Sequence, residues 1–207
     1  MDILKGKTVL FQGDSVTDWN RNRDNFYDLG EGYVKYFVQA YFGLNPNSDA
    51  VFINKGVSGD RTSEVLQRYD EDIKNIKFDV ISLLLGINDT WRRFDKNDPT
   101  SAKDFEINYR KILDNIKLDH PKAKIIMMEP FLIPTDPKKA CFREDLAPKQ
   151  EVVRKLALQY ADYFLPLDKI FTDYIIKGAK PEEISEDGVH PALLGRGIIA
   201  RELLKVI

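Results

Sequence analysis

The stretch Val80-Ile81-Ser82-Leu83-Leu84-Leu85, followed at once by Gly86-Ile87-Asn88-Asp89, sets the fold class. It has strand length and is apolar at both odd and even positions, the pattern of a strand covered on both faces of a sheet. Comparable runs lie at 8–11, 50–53, 124–128 and 163–167. Between them, apolar residues recur with helical period at 32–41, 62–72, 101–118, 147–161 and 191–206. Strands that alternate with helices predict parallel pairing through right-handed crossovers, and so an α/β fold with helices on both sides of the sheet.

Punctuation agrees with this division. Ser101 precedes Asp104 at capping-box-like spacing, and Pro191 falls where the first turn of a last helix needs no backbone donor. The segment 130–148 carries four prolines and several charges, and is expected to be a long surface loop followed by a helix. With 207 residues and no repeats or Gly/Ser linkers, one domain over 1–207 is expected.

Composition excludes several classes. Lys+Arg (31) and Asp+Glu (33) nearly cancel and are interspersed, which is not the footprint of a nucleic-acid binder. No apolar run has the length of a membrane span, and residues 1–11 read as a first strand rather than an export signal, so a cytoplasmic protein is expected. One cysteine, Cys141, rules out an internal disulfide or a cysteine metal cluster and is read as an inert small hydrophobe.

In open parallel sheets, ligands bind beyond the carboxyl ends of the strands. Four segments with chemistry fall there: Gly13-Asp14-Ser15, Asn54-Lys55-Gly56-Val57-Ser58-Gly59-Asp60, Gly86-Ile87-Asn88-Asp89 and Asp187-Gly188-Val189-His190. An activated serine generally needs a base, and only His120 and His190 exist. His120 precedes the fourth strand, at the amino end of the sheet, and reads as a surface residue; His190 can return to the edge that carries Ser15. Asp187, three residues ahead of His190, can reach its Nδ1 and fix the tautomer. On its own, Asp187 is better explained as a solvated acid near a helix start. The Ser15 and Gly59 N–H groups and the Asn88 amide can serve as oxyanion donors, although Gly59 and Asn88 also suit ordinary turns.

With these blocks in order, the chain resembles the SGNH (GDSL-type) hydrolases over nearly its whole length, with Val16 after the serine where leucine or isoleucine is common. The resemblance implies a three-layer α/β/α, flavodoxin-like sheet of five parallel strands in order 2-1-3-4-5, an acyl-enzyme mechanism, no metal or other cofactor, and assembly above the monomer. Gly30-Glu31-Gly32-Tyr33-Val34, the extended Gly86-Ile87-Asn88-Asp89-Thr90-Trp91-Arg92, Glu129-Pro130-Phe131 and the run 189–200 look most like the intracellular serine acetylxylan esterases. The expected substrate is therefore an O-acetylated xylo-oligosaccharide or related sugar.

Trp19 and Trp91 lie a few residues past catalytic elements, where an aromatic face can stack on a pyranose while Arg92, with Asn20 or Arg93, meets hydroxyls; ordinary packing explains the tryptophans equally well. No long apolar cap follows the site, which weighs against a fatty acyl tail. Three other readings stay open: the same mechanism on another short-chain ester, a lysophospholipid or an acyl thioester; an anion- or nucleotide-binding module built on the turn after strand one; and a metal-dependent hydrolase using Asp14, Asp89, Asp187 and His190.

Overall fold

The computed structural model describes residues 2–207. Five strands, β1 (Thr8–Gly13), β2 (Val51–Asn54), β3 (Val80–Leu84), β4 (Lys124–Met128) and β5 (Tyr163–Leu165), pair in parallel in the order 2-1-3-4-5. The connecting helices are α1 (Ser15–Asp18), α2 (Tyr33–Leu44), α3 (Thr62–Gln67), α4 (Ile87–Asp95), α5 (Ala102–Asp119), α6 (Phe142–Tyr160), α7 (Leu167–Ile176), α8 (Pro181–Ile184) and α9 (Leu193–Val206).

Alternation along each strand divides the core in two. Val9, Phe11, Ile126 and Met128 face α2 and α9, where Phe37 and Ile199 are fully buried. Leu10, Ile81, Leu83, Ile125 and Met127 face α3, α5 and α6. Register sets Leu10 beside both Ile53 and Ile81, and Ile81 beside Ile125, so this second face is a continuous aliphatic row. Burial of each such side chain contributes about 1.5–3 kcal/mol, which is why the strands read as unbroken apolar runs.

Helix ends follow local chemistry. Ser101 Oγ accepts the Asp104 N–H at 3.0 Å and caps α5, whose Phe105, Tyr109, Ile112 and Ile116 form one buried stripe. The last helix begins at Leu193 rather than at Pro191, which stands just outside its N-cap, Ala192.

Three expectations need correction. The surface loop in 130–148 is shorter than expected, 134–141: Phe131, Leu132 and Ile133 are buried, and α6 starts at Phe142 with Pro148 inside it. Phe142 and Leu146, one turn apart, pack with Ile87, Leu132 and Val189, and that burial holds a helical turn that the prolines had argued against. His120 is not a plain surface residue, since its ring lies on Phe78 at 4.2 Å between centroids, and its Nε2 is buried without a partner among the described residues. Cys141 is exposed at the α6 N-cap, with Sγ 3.5 Å from the Lys138 carbonyl, instead of packing as a hydrophobe. Among the described residues, no helix is long and apolar enough to cross a membrane.

Pairing of Gly13 with Leu84, and of Leu84 with Met128, aligns the carboxyl ends of β1, β3 and β4 at one edge. Strand order reverses between β1 and its neighbours, and the crevice expected at such a switch point lies where α1 leaves β1.

Candidate active site

Ser15 opens α1, a single turn whose N-cap is Asp14; the Asp14 carboxylate accepts the Val16 N–H at 3.0 Å. The turn is tight because Gly13 has no Cβ, which would stand 2.2 Å from Thr17 Oγ1. Beyond it, Trp19 and Asn20 have φ of 39° and 60°, left-handed values that non-glycine residues adopt at a cost and that cluster at functional sites.

His190 arrives from the loop between α8 and α9. Its Nε2 lies 2.9 Å from Ser15 Oγ, and its Nδ1 lies 2.8 Å from Asp187 Oδ2. A carboxylate can only accept, so Nδ1 carries the proton and Nε2 is left to accept from the serine hydroxyl. Asp187 Oδ1 also accepts the backbone N–H groups of His190 at 2.7 Å and Val189 at 2.9 Å. Partial burial works to raise the Asp187 pKa, but the His190 ring and these two N–H groups outweigh it and hold the carboxyl well below the usual carboxylate range.

The second and third blocks are tied to the first by buried hydrogen bonds. Asn54 Nδ2 donates to the Thr17 and Leu29 carbonyls at 2.7 and 2.8 Å, and its Oδ1 accepts the Gly56 N–H. Asp18 accepts the Ser58 N–H at 2.8 Å, and Asp89 takes both the N–H and the hydroxyl of Thr62. Burial raises Asp89 to about 6 against those Thr62 bonds. Gly59 sits at φ +88°, where only glycine is unstrained. Among the described residues, neither the Ser15 N–H nor the Gly59 N–H meets an acceptor. Both residues are half-buried, where a donor without a partner is uncommon. The Asn88 side chain is 3% exposed; its Nδ2 donates to the Asp60 carbonyl at 3.1 Å and keeps one hydrogen free of that bond.

His190 is bracketed by Trp19 and Trp91, with ring centroids 5.9 and 6.0 Å away. Trp19 also carries the Arg196 guanidinium over its face at 5.0 Å, while Trp91 packs on Phe142 at 5.7 Å. The geometry thus puts both tryptophans at the site and gives each a packing partner. Arg92, expected to meet substrate, is turned to Asn88 Oδ1 at 3.2 Å and pairs with Asp95. Ser15, Trp19, Asn20, Ser58 and His190 line a recess of about 260 Å³. It adjoins a cleft of about 1050 Å³ that runs past Glu182, Glu186, Pro191 and Leu193. Asp14 and Asp89, offered as metal ligands, are buried at 1% and 0% exposure on backbone and threonine donors. Among the described residues, no three His, Cys, Asp or Glu side chains converge as a ligand set.

Lys139 was not singled out in the sequence. Its Nζ donates to the Asp187 carbonyl at 2.6 Å, lies 3.4 Å from Asp187 Oδ2 and sits over the Trp91 ring at 4.9 Å. A lysine in a loop with several others gives no signal; only the buried path of 130–133 brings it behind the aspartate.

Comparison with known proteins agrees with this geometry. The family model described as GDSL-like lipase/acylhydrolase matches residues 11–197. The chain is 32% identical to an acetylxylan esterase of Geobacillus stearothermophilus, over 100% of this chain and 96% of that one. The crystal structure of Axe2, an acetylxylan esterase from the same organism, superposes with a TM-score of 0.88 at 31% identity, covering 100% of this chain and 96% of the other. A protein of Parabacteroides merdae described as a GDSL-like lipase gives 0.90 at 27% identity, with 98% and 95% covered. Solved catalytic mutants of Axe2 carry alanine in place of a serine, a histidine or an aspartate. This chain is therefore a serine ester hydrolase and belongs to the GDSL-like lipase/acylhydrolase family.

Proposed function

We propose that the protein removes O-acetyl groups from xylo-oligosaccharides or related acetylated sugars, with Ser15 as nucleophile, His190 as base and Asp187 as its orienting partner. The observation that carries this reading is the unbroken relay from Ser15 Oγ through both His190 nitrogens to Asp187, beside two N–H groups with no acceptor among the described residues. His190 takes the hydroxyl proton as Oγ attacks the acetyl carbonyl. The Ser15 and Gly59 N–H groups and the Asn88 amide hold the oxyanion. The imidazolium then protonates the departing sugar oxygen, and water activated by the same nitrogen releases acetate.

Kinship with an acetylxylan esterase supports the sugar acetate over other esters. The recess at Ser15 is small and includes polar Asn20 and Ser58, which favours a short acyl group. Trp19, on the wall shared by recess and cleft, is placed to stack on a pyranose. A cytoplasmic location and a homo-oligomer belong to the same reading; the oligomer rests on the resemblance.

The test is acetate release from acetylated xylo-oligosaccharides beside other acetylated sugars, short and long p-nitrophenyl esters and an acyl thioester, for the parent and Ser15→Ala. The expected result is a preference for sugar acetates, lost in the variant by at least about 10³-fold in kcat. Preference for acyl chains of about eight carbons or more refutes the carbohydrate assignment, and full turnover by Ser15→Ala refutes the nucleophile.

A further inference from the structure

We propose that Arg92 is a positioning residue for the oxyanion site: its guanidinium fixes the orientation of the Asn88 amide, and it does not bind the sugar. The inference rests on the reading of Asn88 as an oxyanion donor.

The two ends of the Asn88 amide have different neighbours. One is the Arg92 Nη2, 3.2 Å away, which can only donate; the other is the Asp60 carbonyl, 3.1 Å away, which can only accept. The amide therefore has one orientation, with Oδ1 toward Arg92 and Nδ2 toward Asp60. Rotation by half a turn would set an amide hydrogen against the guanidinium and an oxygen against a carbonyl, and both hydrogen bonds would be lost. In the held orientation, Nδ2 keeps a second hydrogen for an oxygen bound at the site, and a cation on Oδ1 polarises that N–H toward donation.

The same guanidinium stands near the other block: a Cβ placed on Gly59 would have Arg92 Nη2 at 3.7 Å as its one neighbour within 4 Å. Arg92 lies one helical turn after Asn88 on α4, and Asp95 pairs with its other arm. Its side chain is 18% exposed, with its two arms engaged by Asn88 and Asp95.

The experiment is a kinetic double-mutant cycle on a sugar acetate with Asn88→Ala, Arg92→Met and the pair, joined by Arg92→Lys. Asn88→Ala alone should lower kcat by about 10²–10³. Arg92→Met should lower kcat by about 10-fold with KM nearly unchanged, and should cost little further when added to Asn88→Ala. Arg92→Lys, which keeps a donor toward Oδ1, should recover part of the loss.

A rise in KM with kcat unchanged, or a full extra loss in the double variant, overturns the positioning role and returns Arg92 to substrate contact. If Asn88→Ala itself keeps full kcat, the oxyanion reading of Asn88 fails first, a result distinct from the others. Unfolding midpoints of all variants within a few degrees of the parent separate these outcomes from loss of structure.

Discussion

Asp14→Asn isolates one buried carboxyl next to the nucleophile. Asp14 is 1% exposed, and its side chain accepts the Val16 N–H at 3.0 Å. Burial pushes the carboxyl from 3.8 up to about 7; that N–H and the charge on His190 oppose the rise, while Asp89 and Asp60 add to it. In the unfolded chain the group titrates near its ordinary value of about 3.9. Between these two values the folded protein holds a proton that the unfolded chain has released. This contribution to stability therefore falls as pH rises through the window and stays lowered above about 7. The rise from 3.8 to about 7, at 1.36 kcal/mol per pH unit, is worth about 4 kcal/mol. Asparagine has the same shape, keeps an oxygen for the Val16 N–H and does not titrate. The parent carries roughly 1.5 kcal/mol of this penalty at about pH 5 and roughly 4 kcal/mol at about pH 8.5, so the stability of Asp14→Asn relative to the parent should improve by about 2.5 kcal/mol between them. Urea melts of both proteins at both pH values, with equal slopes, measure it. A difference that stays constant within about 0.5 kcal/mol would show that the buried carboxyl is ionised at both pH values, and would refute the reasoning.

Tyr109→Phe deletes a buried hydroxyl that has no hydrogen-bond partner among the described residues, and thermal melts should show the variant at least as stable as the parent. Ser101→Ala removes the cap on α5 and should cost about 1 kcal/mol by urea denaturation with kcat unchanged.

The sheet was legible because its central strands are buried on both faces, which leaves an apolar signal at every residue of 80–84 but Ser82. The α4 helix was not: Gly86-Ile87-Asn88-Asp89 reads as a turn, and only the packing of Ile87 against Leu132 and Phe142 shows why a helix starts there. The α7 helix, ten residues long, has no counterpart among the helical stretches read from the sequence. At the site, residue types marked Ser15, Asn88 and His190, since each has a chemistry that few other residues supply. The neighbours of Arg92 and Lys139 were not legible for a common reason. Their work depends on which neighbour a long, flexible cation reaches, and spacing along the chain does not encode that.

The Ser15 hydroxyl and the His190 ring meet across 175 residues of chain. The closing contact is the packing of α9 on α2, which joins the two ends of the polypeptide on one face of the sheet. Hydrolytic power is thus among the most non-local properties of the molecule and can emerge only after the late segments have docked. A chain still being synthesised, with β1 already exposed, presents an ordinary alcohol that is harmless to the esters around it.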